Sequence, residues 1–259
     1  MKQPTVLSFD LHNDVIAFST TRHGGFSVGN YAEFNINPYY GDDTDAVLRN
    51  QQLMCQILGI DDNRIIMPHQ VHSTEMAQID TAFLQCAVRE RQQRLEGIDA
   101  LMTNLPGVCI GVSTADCIPI LIYDSRQHVV SAIHAGWRGT VRRIAQKSIA
   151  EMQKAFQSQT QDMIVQIGPG ISLDSFEVGD EVYEAFAEAG FDMKAISQRQ
   201  EKWHIDLQEC NRLQLIAAGV PPTNIAVSDI CTVKQSSEFF SARRLGIHSG
   251  RIFTGIMLK

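Results

Sequence analysis

Two apolar, β-rich runs around a short polar break constrain this chain more than any other feature. Ile118-Pro-Ile-Leu-Ile-Tyr123 leads to a break at Asp124-Ser125, and Val129-Val-Ser-Ala-Ile133 follows it. Short runs of this kind around a turn read as a β-hairpin or as adjacent strands. Cys117 opens the first run and His134 closes the second, so antiparallel pairing sets thiol and imidazole side by side. An S/N metal site or a Cys–His catalytic pair is then geometrically available. Asp116, beside the cysteine, can accept a proton or support a ligand.

The rest of the chain bounds the context of that pair. At 259 residues and 44% apolar content it can build one large α/β domain or two small ones. No internal repeat, low-complexity stretch or Pro/Ser-rich linker divides it. A net charge of −7 argues against a nucleic-acid surface and against docking on anionic membranes. No apolar run approaches the roughly 20 residues of a membrane span. Met1-Lys2-Gln3-Pro4 leads into a strand-like run rather than a signal-peptide core. The six cysteines contain no CxxC pair, which suits reduced thiols in the cytoplasm.

Periodicity predicts a helix over Thr44–Leu58, with Asp43 or Thr44 as N-cap and Gly59 as stop. Arg64 to Val71 reads as a strand delivering His69-Gln70-Val71-His72, and 81–95 as a charged, solvated helix. Strands are expected at 98–103 and 108–114, and an amphipathic helix over 140–156. Beyond it come strands at 163–167, 203–207, 223–228 and 252–258, with helices over 180–189 and 207–218. Helices interleaved with strands of both patterns indicate an α/β or α+β domain around mixed sheets.

Of eight histidines, His72 and His134 stand at predicted strand ends beside small residues. His69 and His72, three apart in extended chain, point to opposite faces, so only one can reach a shared site. His72, Cys117 and His134 would form a His2Cys set with a fourth tetrahedral position open, as a catalytic zinc requires. A buried thiol among hydrogen-bonded core histidines is the alternative, and the residues alone leave both open. Arg22 in a Gly-rich loop and Arg138 at a helix start are each an anion contact or a structural arginine. Asp229-Ile-Cys231-Thr232 and Phe239-Phe-Ser-Ala-Arg243-Arg244 carry the same double reading. Cys55 and Cys109 lie in apolar runs and read as structural.

Several segments recur in an order typical of one family. They are Ser19-Thr-Thr-Arg22-His-Gly-Gly, Asn35, Gly41-Asp42-Asp43, Gln70-Val-His72, Thr114-Ala-Asp-Cys-Ile-Pro and His134-Ala-Gly-Trp-Arg-Gly. Ile167-Gly-Pro, Phe176-Glu-Val, Asp229-x-Cys-Thr, Phe240-Ser-x-Arg-Arg and Gly250-Arg251 continue it. The chain thus resembles the laccase-domain, or multicopper polyphenol oxidoreductase, family, in its purine nucleoside phosphorylase and adenosine deaminase type. The resemblance implies one α+β domain over 1–259, with mixed β-sheets in layered α/β/β/α packing. It also implies zinc held by His72, Cys117 and His134, with copper as the other ion reported for the family. Implied activities are phosphorolysis of adenosine, inosine and S-methyl-5'-thioadenosine, and deamination of adenosine.

The catalytic set expected on this basis is His72, Cys117, His134 and Asp116. Candidates for substrate and phosphate contacts are Arg22, Asn35, Gln70, Arg138, Ser241 and Arg243. Partners are then purine nucleosides and phosphate, without nucleic acid or membrane, for a monomer or weak homo-oligomer. Two further readings compete: an amidase editing peptidoglycan precursors with Cys117 as nucleophile, and copper-dependent polyphenol oxidation. The chain has no H-x-H pair of the kind four-copper laccases use. It departs from the family at Ser73, usually Gly, at Gly170, usually Ala, and at Ala242, usually Tyr. A longer charged segment at 84–96 adds to these, and pocket shape is where they would act.

Overall fold

The hairpin forms because both runs are apolar on both faces, as strands covered on each side require. In the computed structural model, which describes residues 3–259, Ile118–Asp124 pairs antiparallel with Val129–Ala135, and every residue of both strands is buried. The break is an Asp turn: Asp124 Oδ1 accepts the backbone N–H of Arg126 at 2.9 Å and of Gln127 at 3.0 Å. Met1 and Lys2 of the N-terminal stretch lie outside the described residues.

The hairpin occupies the middle of a six-stranded sheet. Its order is Ile225–Val227, Met163–Ile167, Ile118–Asp124, Val129–Ala135, Ala100–Thr103 and Met76–Gln78. A five-stranded sheet runs Val6–Phe9, Val15–Thr20, Ile252–Leu258, Cys109–Thr114 and Ile65–Ile66. A small third sheet joins Glu177–Val178, Trp203–Ile205 and Ser197–Arg199.

Side-chain alternation assigns each face. Leu121, Tyr123, Val130 and Ala132 point inward against Ile110, Val112, Ile256 and Leu258, closing the two large sheets on each other. Ile118, Ile120, Ile122 and Ile133 point outward and meet Ile149, Met152 and Leu215, on helices Ile144–Phe156 and Leu207–Ala217. On the far side, Phe18, Cys109, Phe253 and Met257 cover Met54 of helix Thr44–Leu58. The fold is a single-domain α+β arrangement around mixed sheets, layered α/β/β/α.

Helix Thr44–Leu58 ends where its caps predict: Asp43 accepts the Ala46 N–H at 2.9 Å, and Gly59 takes φ 67°. Three other elements differ. The expected strand over 64–71 is only Ile65–Ile66, because the Gln70 side-chain amide replaces the ladder, donating to Ser113 O at 2.9 Å and accepting Ser113 N–H at 2.7 Å. The helix expected over 81–95 divides into Thr81–Gln85 and Val88–Arg94. Cys86 between them is extended, and Arg91 donates to the carbonyls of Leu84 and Cys86.

The helix expected over 140–156 begins at Trp137 and breaks at Arg143, which takes φ 65°. Arg143 instead stacks 3.6 Å from the centroid of the Phe191 ring and donates to Ala189 O at 2.7 Å. Among the described residues no helix is long and apolar enough to cross a membrane.

Candidate metal and catalytic site

Pairing sets Pro119 opposite His134 and Ile118 opposite Ala135, so Cys117 lies just beyond the strand that faces His134. Asp116, at φ 85°, turns the chain into that strand. His134 is 3% exposed, and its Nδ1 bonds Asp99 Oδ1 at 2.7 Å. The carboxylate accepts there, which fixes the proton on Nδ1 and points Nε2 away from Asp99; the neutral ring would offer that nitrogen as a lone pair.

Asp99 also holds the third donor. Its oxygens accept the backbone N–H groups of Val71 at 3.2 Å, His72 at 3.0 Å and Ser73 at 2.7 Å. His72 sits at φ 62°, a left-handed conformation uncommon outside glycine, and the Asp99 bonds hold it there. Its ring meets His134 edge-on, with centroids 4.8 Å apart, and its Nε2 lies 3.7 Å from Cys117 Sγ. Gly136 makes this approach possible: a Cβ there would stand 2.6 Å from His72 Cδ2 and 3.2 Å from Cys117 Sγ.

Charge is tightly coupled across the group. Burial pushes the Cys117 thiol up, but the His134 and His72 imidazoles outweigh it and bring it down to about 6. Burial opposes charge on His134, yet Cys117 and Asp99 hold its pKa up at about 9. Asp99, which burial alone would raise, is held down at about 2 by His134 and Ser73. The cysteine therefore favours the thiolate, the form that binds metals and attacks electrophiles.

The donor set fits a metal ion. The ligand atoms of His72, Cys117 and His134 all lie within 4.8 Å of one another, the one such cluster among the described residues. Zinc bonds of roughly 2.0–2.3 Å in a tetrahedron put donors roughly 3.3–3.8 Å apart, and the Cys117 Sγ–His72 Nε2 separation of 3.7 Å falls in that range. Two nitrogens and one sulfur leave a fourth position open.

The other predicted residues divide sharply. Asp116 is beside the thiol, but its Oδ1 accepts from Thr232 Oγ1 and its Oδ2 from the Arg243 N–H, both at 2.7 Å. Ser241 caps the helix Ala242–Leu245, and the Arg243 guanidinium donates to Glu177 O at 3.2 and 3.3 Å. Arg22 donates to Ala32 O and Ser236 O, both at 2.9 Å, over the Phe240 ring. Asn35 is buried and donates to Asp42 Oδ2 at 2.8 Å. Arg138 differs from these. It is exposed, lies 4.3 Å from the Trp137 ring centroid, and makes no guanidinium hydrogen bond among the described residues.

Sequence reasoning missed two residues. Asp99 carries the site, and its signal was an acid at the head of the apolar run Ala100–Thr103. Arg142 donates to His72 O at 2.7 Å, which steadies the same loop. Ser73, at its departure from the family, donates its Oγ to Gly97 O at 2.8 Å.

Comparison with known proteins places the chain. Residues 16–259 match the family described as multi-copper polyphenol oxidoreductase laccase. The chain is 48% identical to a purine nucleoside phosphorylase of Bacteroides thetaiotaomicron, over 97% of this chain and 94% of that one. It is 47% identical to adenosine deaminase RL5 from an unknown prokaryotic organism, over 95% and 94% of the two chains. The crystal structure of Bacillus licheniformis YfiH superposes with a TM-score of 0.91 at 30% identity, covering 99% of this chain and 97% of that one. The chain belongs to the multi-copper polyphenol oxidoreductase laccase family. It is an enzyme.

Proposed function

We propose that this enzyme is a zinc-dependent purine nucleoside phosphorylase that also deaminates adenosine. Adenosine, inosine and S-methyl-5'-thioadenosine are the substrates, and 1–259 acts as one catalytic domain. The observation that carries the reading is the His72–Cys117–His134 cluster braced by Asp99, in a chain about half identical to relatives named for these two reactions. Copper is the alternative ion, carried by the family's name. The relatives' names favour neither the amidase nor the polyphenol-oxidation reading.

A bound ion would supply Lewis acidity at the open position. Cys117 would hold it as thiolate and His134 through Nε2, with Asp99 keeping the ring's tautomer and orientation. His72 is held to the same point by the Asp99 bonds to its loop. In phosphorolysis a phosphate oxygen bonds to the ribose C1', the C1'–N9 bond breaks, and the base leaves with its electron pair and gains a proton. In deamination water adds at C6 of adenine and ammonia departs.

Arg138 has the guanidinium best placed to meet a ligand from solvent. Arg22, Asn35, Gln70, Ser241 and Arg243 contribute by shaping the walls through the bonds described above. The enzyme acts on small molecules in the cytoplasm, without nucleic acid or membrane, as a monomer or weak homo-oligomer.

Chromatography of adenosine incubated with the zinc-replete enzyme tests the reading. Adenine and ribose 1-phosphate should appear only with phosphate, inosine should appear with or without it, and all should vanish in His134→Ala. Metal analysis of Cys117→Ala should show the ion reduced or lost. Absence of phosphate-dependent adenine from folded, metal-loaded protein moves the assignment to the amidase.

A further inference from the structure

Gly250-Arg251, noted in the sequence but given no role there, places a buried cation beside the site. Arg251 is only 6% exposed. Its Nη1 donates to Ser249 O at 2.6 Å, Gly250 O at 3.0 Å and Ser249 Oγ at 3.2 Å, and its Nη2 to Ile247 O at 2.9 Å. The Tyr40 ring lies over the guanidinium, 3.8 Å away, and Asn35 Oδ1 accepts the Arg251 backbone N–H at 3.1 Å.

Carbonyls satisfy N–H groups, and the negative groups facing this charge are Cys117 and Asp116, neither of them hydrogen-bonded to the guanidinium. No carboxylate lies within 4.0 Å of this guanidinium among the described residues. A buried ion with no directly bonded counter-ion gains from a ligand that supplies one. Among the described residues Nε donates to no carbonyl or carboxylate, and with Nη2 it offers an edge of the planar fork that suits a tetrahedral oxyanion.

Topology aims this charge at the reaction. Ile252 pairs with Thr114, so Arg251 stands at the end of the ladder where Ala115-Asp116-Cys117 begins. Asp116 faces it electrostatically but is bonded to Thr232 and to the Arg243 N–H, not to the guanidinium.

We propose that Arg251 is the buried anion contact of the site, taking inorganic phosphate through Nε and Nη2. Tyr40 and Asn35 act as positioning residues, and the chain Asp42–Asn35–Arg251 fixes the geometry from the N-terminal half. The assignment rests on the phosphorolysis reading for its ligand, and it adds a residue that reading did not contain.

Two readouts on the full chain test it: the phosphate KM for adenine release, and the rise in thermal midpoint caused by inorganic phosphate without nucleoside. Arg251→Lys keeps the charge but loses the fork. It should raise the phosphate KM by roughly 10-fold and clearly shrink the rise in midpoint at a given phosphate concentration, with the nucleoside KM moving far less. Tyr40→Leu should raise the phosphate KM by about 3-fold, and it decides the matter if Arg251→Lys does not fold. A folded Arg251→Lys protein with the wild-type phosphate KM and midpoint response overturns the proposal. So does a loss of kcat alone. If the wild type releases no adenine, phosphorolysis fails, and the midpoint comparison still judges Arg251 as an anion site.

Discussion

The two halves of the donor set are built by opposite means. Cys117 and His134 are placed by a β-ladder, whose backbone bonds repeat along a fully buried hairpin. His72 is placed by one carboxylate: Asp99 gathers three consecutive backbone N–H groups and the His134 ring. A ladder spreads its stability over many residues, so single changes are absorbed. A carboxylate hub concentrates it, and its loss leaves several buried donors unpaired at once.

Breaking the hub should give the largest effect. Asp99→Ala is expected to cost about 3–5 kcal/mol, the scale for removing one partner of a buried ion pair. Urea denaturation reads the stability, and metal analysis should show the ion gone. A stable variant that keeps its metal would mean the His72 loop holds itself.

Crowding the junction comes next. Gly136→Ala places a methyl against His72 Cδ2 and Cys117 Sγ, and overpacking of this kind costs about 1–3 kcal/mol. Metal retention should fall more than stability does, because the displaced atoms are donors. Equal metal content in variant and wild type would show that the His72 loop gives way freely.

The smallest change should come from the ladder. Ile120→Val, at a fully buried hairpin position, is expected to cost about 0.5–1.5 kcal/mol with metal content unchanged. Should metal be lost here too, hairpin and hub are not separable and the contrast fails.

This contrast also explains what could be read from the chain. The hairpin was legible because Ile118 to Tyr123 and Val129 to Ile133 are continuous apolar runs, a local signal. Helix Thr44–Leu58 was legible for the same reason, since Asp43 and Gly59 mark its ends within its own sequence. That only one of His69 and His72 reaches the site was anticipated, but from strand alternation, which does not operate there. His72 is left-handed, and His69 stacks on Tyr39 and bonds Glu96.

Asp99 showed only as an acid at the head of an apolar run; its role was hidden because its partners include backbone N–H groups more than twenty residues away, which no side-chain pattern encodes. The break at Arg143 was hidden similarly. The periodicity of 140–156 continues through it, while the stacking partner Phe191 comes from elsewhere in the chain.

The order of strands in the five-stranded sheet has a consequence for synthesis. Ile252–Leu258 inserts between Val15–Thr20 and Cys109–Thr114, so those two edges cannot be joined until this late stretch has left the ribosome. All three donors emerge well before it. A nascent chain therefore holds the thiol and two imidazoles while Arg251, at the head of that stretch, has yet to be made. The site is written early and assembled last.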